Sequence, residues 1–409
     1  MCCTTANGGF MKKQIFFALL LSSLLLTGCG NSSANSNQSK PASDDSVSGQ
    51  DSSSVETDVE DLGEKDIHTD LMKQYLADDW DSILTYVPKV NAEDSSYHND
   101  QSQPNPIKLE FDEVDDASTY YVEIAKDVEF TDSKIVQSAS KSYDFYNVEI
   151  GQAYYFRASD SEDGLASAQI KKFTVSDVAP RQIHVDGVIN FRDVGGWKTS
   201  LVENGAVKQG MYYRCAQFNS VTAAGKETIK ELGIKVDIDM RDSYNVPSTS
   251  PISTTDWEVE ILKASVASGS EDGRWEGDHS KDHNIAATYK KIFEAIAVSD
   301  EKPIALHCTH GADRTGIVSW FLLGLLGVSK EDCARDYVMT RFAGERAVLP
   351  YDVGSSKSEI AKWNAKTEAL EGDTWAEKTY KHLNEDFGIE AETLETIRAK
   401  FIPGYVAQA

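Results

Sequence analysis

Ten consecutive residues, His307-Cys308-Thr309-His310-Gly311-Ala312-Asp313-Arg314-Thr315-Gly316, hold a thiol, an arginine, a carboxyl and two hydroxyls. An apolar run, Ile304-Ala305-Leu306, precedes them, and a second, Ile317 to Leu326, follows. A loop between a buried strand and a helix N-terminus turns successive backbone N–H groups toward one point, which is an anion cradle. Thr309, His310, Gly311, Ala312, Asp313 and Arg314 would form it. Gly311 permits the tight curvature, and Arg314 offers a planar fork matched to two phosphate oxygens. A free thiol titrates at about 8.5, but the same positive field favours the thiolate of Cys308. A thiolate held under a bound phosphate can attack phosphorus in line. Thr315 could hydrogen-bond the sulfur and help it leave in a second step.

Positioning such a loop requires parallel strands backed by helices. From about Gln182 onward strands and helical patterns alternate: Val236-Asp237-Ile238-Asp239 and Pro303 to His307 read as buried parallel strands. Ser329 followed by Asp332 reads as a helix cap. The alternation predicts an α/β domain over 180–409 with a central, mostly parallel sheet.

The ten-residue stretch resembles the signature of the protein tyrosine phosphatase superfamily, Cys, five residues, then Arg, in its longer His-Cys-x-x-Gly-x-Asp-Arg-Thr-Gly form. Asn190-Phe191-Arg192-Asp193-Val194-Gly195-Gly196, Tyr213-Arg214, Asp239-Met240-Arg241 and Asp336-Tyr337 resemble the atypical bacterial tyrosine and dual-specificity branch. The resemblance spans nearly all of 183–405. It implies phosphomonoester hydrolysis through a phosphocysteine, with no metal or other cofactor. Phosphotyrosine protein is the leading substrate class, and phosphoinositides or inositol phosphates are the alternative. Many relatives carry Lys where this chain has Ala312, which leaves the pocket less positive. A phosphate-binding scaffold without turnover is the competing class of function, and the presence of Cys308, Arg314 and Thr315 argues against it.

No Trp-Pro-Asp occurs in the chain, so two residues compete as general acid. Asp239 is favoured, because it ends a strand that should lie beside that of Cys308. Asp313, inside the loop, is the other candidate, and an ion pair with Arg241 is the bland alternative for Asp239. Structural pairing is the expected role of Arg192 and Asp193. Cys215 and Cys333 read as small core residues, and His279 and His283 as part of a solvated loop.

The remaining sequence reads as export and spacing. Lys12 and Lys13 precede an apolar run, Ile15 to Leu26, that is too short to span a bilayer. Leu26-Thr27-Gly28-Cys29 resembles a bacterial lipobox. That implies a signal peptide over 1–29, lipid attached to Cys29 and an anchor on the extracytoplasmic face of the cell membrane. Residues 30–81 read as a disordered tether: between Ser43 and Asp66, nine acidic residues stand against one lysine. Residues 82–179 read as a β-sandwich from the alternation of Ile107 to Phe111 and Tyr121 to Ile124. Val148 to Ala158, with Tyr154 as corner tyrosine, resembles a fibronectin type III domain acting as spacer, its partner unassigned. A formal charge of −26 makes nucleic acid an unsuitable partner.

Overall fold

The computed structural model describes residues 58–77, 101–112, 117–241, 245–266, 283–343 and 359–407, all within one contiguous unit, Glu56–Ala409. The signal peptide, Cys29, the tether as far as residue 57 and His279 lie outside the described residues, as does the side chain of His283.

Its C-terminal part is built on a six-stranded sheet: β8 (Arg181–Gln182), β9 (Arg192–Asp193), β10 (Tyr212–Cys215), β11 (Val236–Asp239), β12 (Glu260–Lys263) and β13 (Ile304–His307). Their spatial order is β12-β11-β13-β10-β9-β8. The first four are mutually parallel, and β9 and β8 add antiparallel. Alternate residues feed opposite cores. Tyr212, Ile304 and Leu306 enter the larger cluster, whereas Tyr213, Cys215 and Ala305 enter the smaller one. Both faces are covered, so every residue of β10, β11 and β13 is buried, including Arg214, Asp237, Asp239 and His307.

Seven helices accompany the sheet among the described residues: α2 (Ala223–Glu231), α3 (His283–Val298), α4 (Asp313–Leu325), α5 (Lys330–Val338), α6 (Glu359–Glu368), α7 (Trp375–Lys381) and α8 (Ala391–Phe401). Every residue of α4 from Arg314 to Leu325 is buried, which makes it the central helix of the larger core. The cap read at the start of α5 is in place: the Asp332 N–H donates to Ser329 Oγ at 3.0 Å. Cys215 and Cys333 are buried, free thiols, and burial pushes both well above the usual thiol range.

Ahead of this domain stand β1 (Val59–Lys65), α1 (Asp70–Ala77), β2 (Ile107–Glu110), β3 (Tyr120–Ala125), β4 (Lys134–Ser138), β5 (Ser142–Phe145), β6 (Ala153–Ser159) and β7 (Ile170–Val175). A five-stranded sheet, β1-β7-β6-β3-β4, and a two-stranded sheet, β2-β5, share a core of Ile107, Leu109, Val122, Ile124, Tyr154, Phe156 and Phe173. Tyr154 Oη accepts the Glu149 N–H at 2.9 Å.

The structure corrects the extent of the expected tether. Residues 59–65 form an edge strand parallel to β7, and 70–77 form a helix. Acidic content does not prevent either. Glu60, Asp61 and Glu64 are solvated on the sheet edge, and Lys171 and Lys172 of β7 pair with Glu60 and Asp61 at 3.6 and 3.2 Å; charge is what a protected edge carries. In α1, Met72 and Tyr75 fall on one helical face and are fully buried in the larger core. Tyr75 Oη donates to the Arg335 carbonyl at 2.8 Å.

Candidate active site

Cys308 follows β13 directly, and Asp313 opens α4, so the four residues between them make the whole turn from strand to helix. Parallel pairing sets Cys215 of β10 beside His307. The loop is pressed so closely on that neighbour that a Cβ at position 311 would lie 2.3 Å from the Cys215 carbonyl oxygen, and Gly311 has φ +67°. Both facts restrict the position to glycine. The Gln217 N–H donates to the Thr309 carbonyl at 3.2 Å, and the Gly316 N–H to that of Ala312 at 2.8 Å. Thr309, His310 and Ala312 are half-buried, and Gly311 is buried.

Arg314 is anchored from the neighbouring strands. Its Nη1 donates to the carbonyls of Met240 and Val266, both at 3.1 Å, just beyond the ends of β11 and β12. Burial pushes the Cys308 thiol up, but the charge of Arg314 and then the Thr315 hydroxyl act against it, and the thiol ends below its ordinary value. The Thr315 hydroxyl has no hydrogen bond of regular geometry among the described residues, which leaves it available to the sulfur.

His307 supports the loop from beneath. Its Nδ1 donates to the Cys308 carbonyl at 3.0 Å, and its Nε2 lies 3.0 Å from Asp237 Oδ1. Burial disfavours the imidazolium, yet the facing carboxylates of Asp237 and Asp239 outweigh it and hold the group above the usual range. Its proton is therefore held to higher pH than in a free imidazole, in a pair with Asp237 next to Cys308.

The two acid candidates separate clearly. Asp239 does lie beside His307 in the sheet, as its strand predicts, but its carboxylate is engaged on both oxygens. Oδ1 accepts the Arg241 backbone N–H at 2.9 Å and Nε at 3.0 Å, and Oδ2 accepts Nη2 at 2.6 Å. This corrects the preference for Asp239: a fully buried carboxylate bound to its own arginine has no face for a leaving group. Asp313 differs. Its Oδ1 is buried without a hydrogen-bond partner, and burial pushes the carboxyl up to about 7 against the pull of Arg314. Asp313 also bears electrostatically on Cys308.

Arg192 and Asp193 are structurally paired, but not with each other. Arg192 Nε donates to Asp336 at 2.7 Å, and Arg181 Nη1 to Asp193 at 2.8 Å. The sequence reading did not assign partners to Asp336, nor find the backbone carbonyls that hold Arg314; carbonyls leave no signal in residue letters.

The profile of the tyrosine phosphatase family matches residues 183–403, more than half of the chain. A tyrosine-protein phosphatase of Nostoc commune is 27% identical over 152 residues, covering 33% of this chain and 50% of that one. The triple specificity protein phosphatase PtpB of Mycobacterium tuberculosis is 24% identical over 190 residues, 37% of this chain and 66% of that one. The matches thus span between half and two thirds of these relatives. The solved structure of P. aeruginosa TpbA aligns with 41% of this chain and 97% of its own at 17% identity and a TM-score of 0.26, too slight a likeness to argue from. With the profile covering the loop, five of the six strands of the sheet that carries it and the helices behind it, this chain belongs to the tyrosine phosphatase family.

Proposed function

We propose that this protein hydrolyses phosphate monoesters, protein phosphotyrosine foremost, through a phosphocysteine. The observation that carries the reading is the placement of Cys308 at the start of a strand–loop–helix turn with Arg314 anchored on the neighbouring strands, where its charge favours the thiolate. The Cys308 thiolate attacks phosphorus, an S–P bond forms, and the ester P–O bond breaks. Asp313, in the protonated form that its raised pKa of about 7 keeps populated near neutrality, gives its proton to the departing oxygen. Water then attacks the phosphocysteine while Asp313 takes back a proton, and the sulfur leaves as thiolate stabilised by Thr315 and Arg314. Phosphate and a free hydroxyl compound are the products.

Phosphate release from phosphotyrosine, phosphoserine, phosphoinositide and inositol polyphosphate substrates tests the reading. Phosphotyrosine peptide should be turned over fastest, because Ala312 supplies none of the extra charge that a polyphosphorylated ligand would use. Release from none of the four would favour the phosphate-binding scaffold. Fastest release from an inositol polyphosphate would move the substrate class.

The remaining parts support an exported enzyme. The two sheets over one core and the Tyr154 Oη contact to the Glu149 N–H support a fibronectin type III-like spacer. The lipobox-like Leu26 to Cys29 supports a lipid anchor on the extracytoplasmic face. Native protein should partition with membranes, and Cys29→Ala should release it or block its processing. A soluble mature protein whose N-terminus, by mass spectrometry, is unmodified and not Cys29 would refute the anchor.

A further inference from the structure

We infer that a buried network of Asn190, Arg192, Arg214 and Asp336 is a positioning device that turns the carbonyls of His310 and Gly311 backward, so that the N–H groups of the loop face the anion. The inference rests on the reading of the Cys308 loop as a phosphate site.

The contacts form a closed chain behind the loop. Asn190 Nδ2 donates to the carbonyls of His310 and Gly311 at 3.0 and 3.1 Å. Arg214 Nη2 donates to the same Gly311 carbonyl at 2.8 Å. Asn190 Oδ1 in turn accepts Arg192 Nη1 at 2.5 Å. Arg192 reaches Asp336 through Nε at 2.7 Å and the Asp336 carbonyl through Nη2 at 2.6 Å, and Arg214 Nη1 closes on the other carboxylate oxygen of Asp336. All four residues are buried, none more than 1% exposed.

Charge gives the arrangement its sense. Two guanidinium groups share one carboxylate, which leaves about one net positive charge directly behind the loop. Neighbouring N–H groups and carbonyls in a tight loop can rotate together, and carbonyls turned forward would repel a phosphate. Three donors fix them backward, so the forward N–H groups need little reorganisation when an anion arrives. Asn190 has φ +58°, a conformation asparagine tolerates well, and this places its amide under the loop.

The network reaches outside the phosphatase-like domain. The Asn190 N–H donates to Ser102 Oγ at 3.1 Å, and Gln182 Nε2 to the Ser102 carbonyl at 2.6 Å. The Gln101 N–H donates to the Phe342 carbonyl at 2.7 Å. A segment that precedes the family match therefore clamps the residue that orients the loop.

Asn190→Gly tests the device, since glycine keeps the left-handed conformation and removes only the amide. The full chain is assayed for inhibition of aryl phosphate hydrolysis by inorganic phosphate, for the pH midpoint of Cys308 alkylation followed by peptide mass, and for cooperative thermal unfolding. Asn190→Gly should raise the phosphate inhibition constant by about tenfold or more, as loss of a preorganising contact does. It should also move the alkylation midpoint to higher pH, while unfolding stays cooperative. A merely structural residue would lower the melting temperature and leave the first two readings unchanged. If Asn190→Gly fails to fold, Arg214→Lys, which keeps the charge and loses the two-armed fork, is judged by the same readings. Phosphate inhibition and an alkylation midpoint both indistinguishable from wild type in a folded variant overturn the proposal. If the wild type itself neither turns over nor binds phosphate, the phosphatase reading falls, and the alkylation midpoint still decides this one.

Discussion

Cys308→Ser should abolish turnover, by on the order of 10⁴-fold or more, and still bind phosphate or vanadate. The expectation follows from a division of labour in the loop. In the proposed mechanism the nucleophile is one sulfur atom, whose thiolate is favoured by Arg314 and Thr315. A serine hydroxyl in the same field stays protonated, so no anion is available to attack phosphorus. The cradle, in contrast, is backbone. Its shape is set by Gly311 packed on the Cys215 carbonyl and by the carbonyl contacts of Thr309 and Ala312, none of which involves the sulfur. Arg314→Ala should behave differently and lose both binding and rate. In the proposed mechanism that arginine is the fork for the anion, and it also donates to the Met240 and Val266 carbonyls, which truncation would deprive of that hydrogen bond. Hydrolysis by Cys308→Ser at more than about one per cent of the wild-type rate would sink the mechanism.

How much of this was legible in the sequence depends on how far apart the interacting residues lie. The strand–loop–helix turn at Cys308 was readable because everything that defines it is local. An apolar strand, a glycine where the turn tightens and an apolar helix follow one another within about two dozen residues. The cap at Ser329 was readable for the same reason. The sheet was partly readable: β13 is mainly apolar and β11 alternates apolar residues with aspartates, and both are buried throughout. By contrast, β8 and β9 are two residues each, too short to show any periodicity, and they add the antiparallel edge.

Longer-range features left weaker marks. Helix α1 fully buries only Met72 and Tyr75, with Leu71 and Leu76 partly buried beside them, and they follow an acidic stretch that reads as tether. The order of β1 comes from β7, a strand more than a hundred residues later. Arg192 and Asp336 are 144 residues apart, and no local pattern announces such a pair. Asp239 shows the opposite difficulty. Its placement beside the Cys308 strand was read correctly, yet its partner, Arg241, lies two residues away, and sequence alone does not say which way a carboxylate points. The burial of a carboxyl oxygen without a hydrogen-bond partner, which distinguishes Asp313 from Asp239, exists only in the folded loop.

That burial leads to the second large effect. Asp313→Asn should slow phosphotyrosine hydrolysis by roughly a hundred to ten-thousandfold and nitrophenyl phosphate hydrolysis far less. A tyrosine phenol titrates at about 10 and leaves slowly as a bare anion, whereas an activated aryl oxygen scarcely needs the proton. The pH dependence carries the same signature. A general acid works only while protonated, and Asp313 is raised to about 7, so its contribution is present below that pH and lost as pH rises through it. The wild-type rate on phosphotyrosine should therefore fall on the alkaline side from about pH 7, and Asp313→Asn should remove that limb. Asp239→Asn should act otherwise, because it breaks a buried pair with Arg241, lowers stability and reduces both substrates alike. If Asp239→Asn gives the loss that depends on the leaving group and Asp313→Asn slows both substrates equally, the two roles must be exchanged.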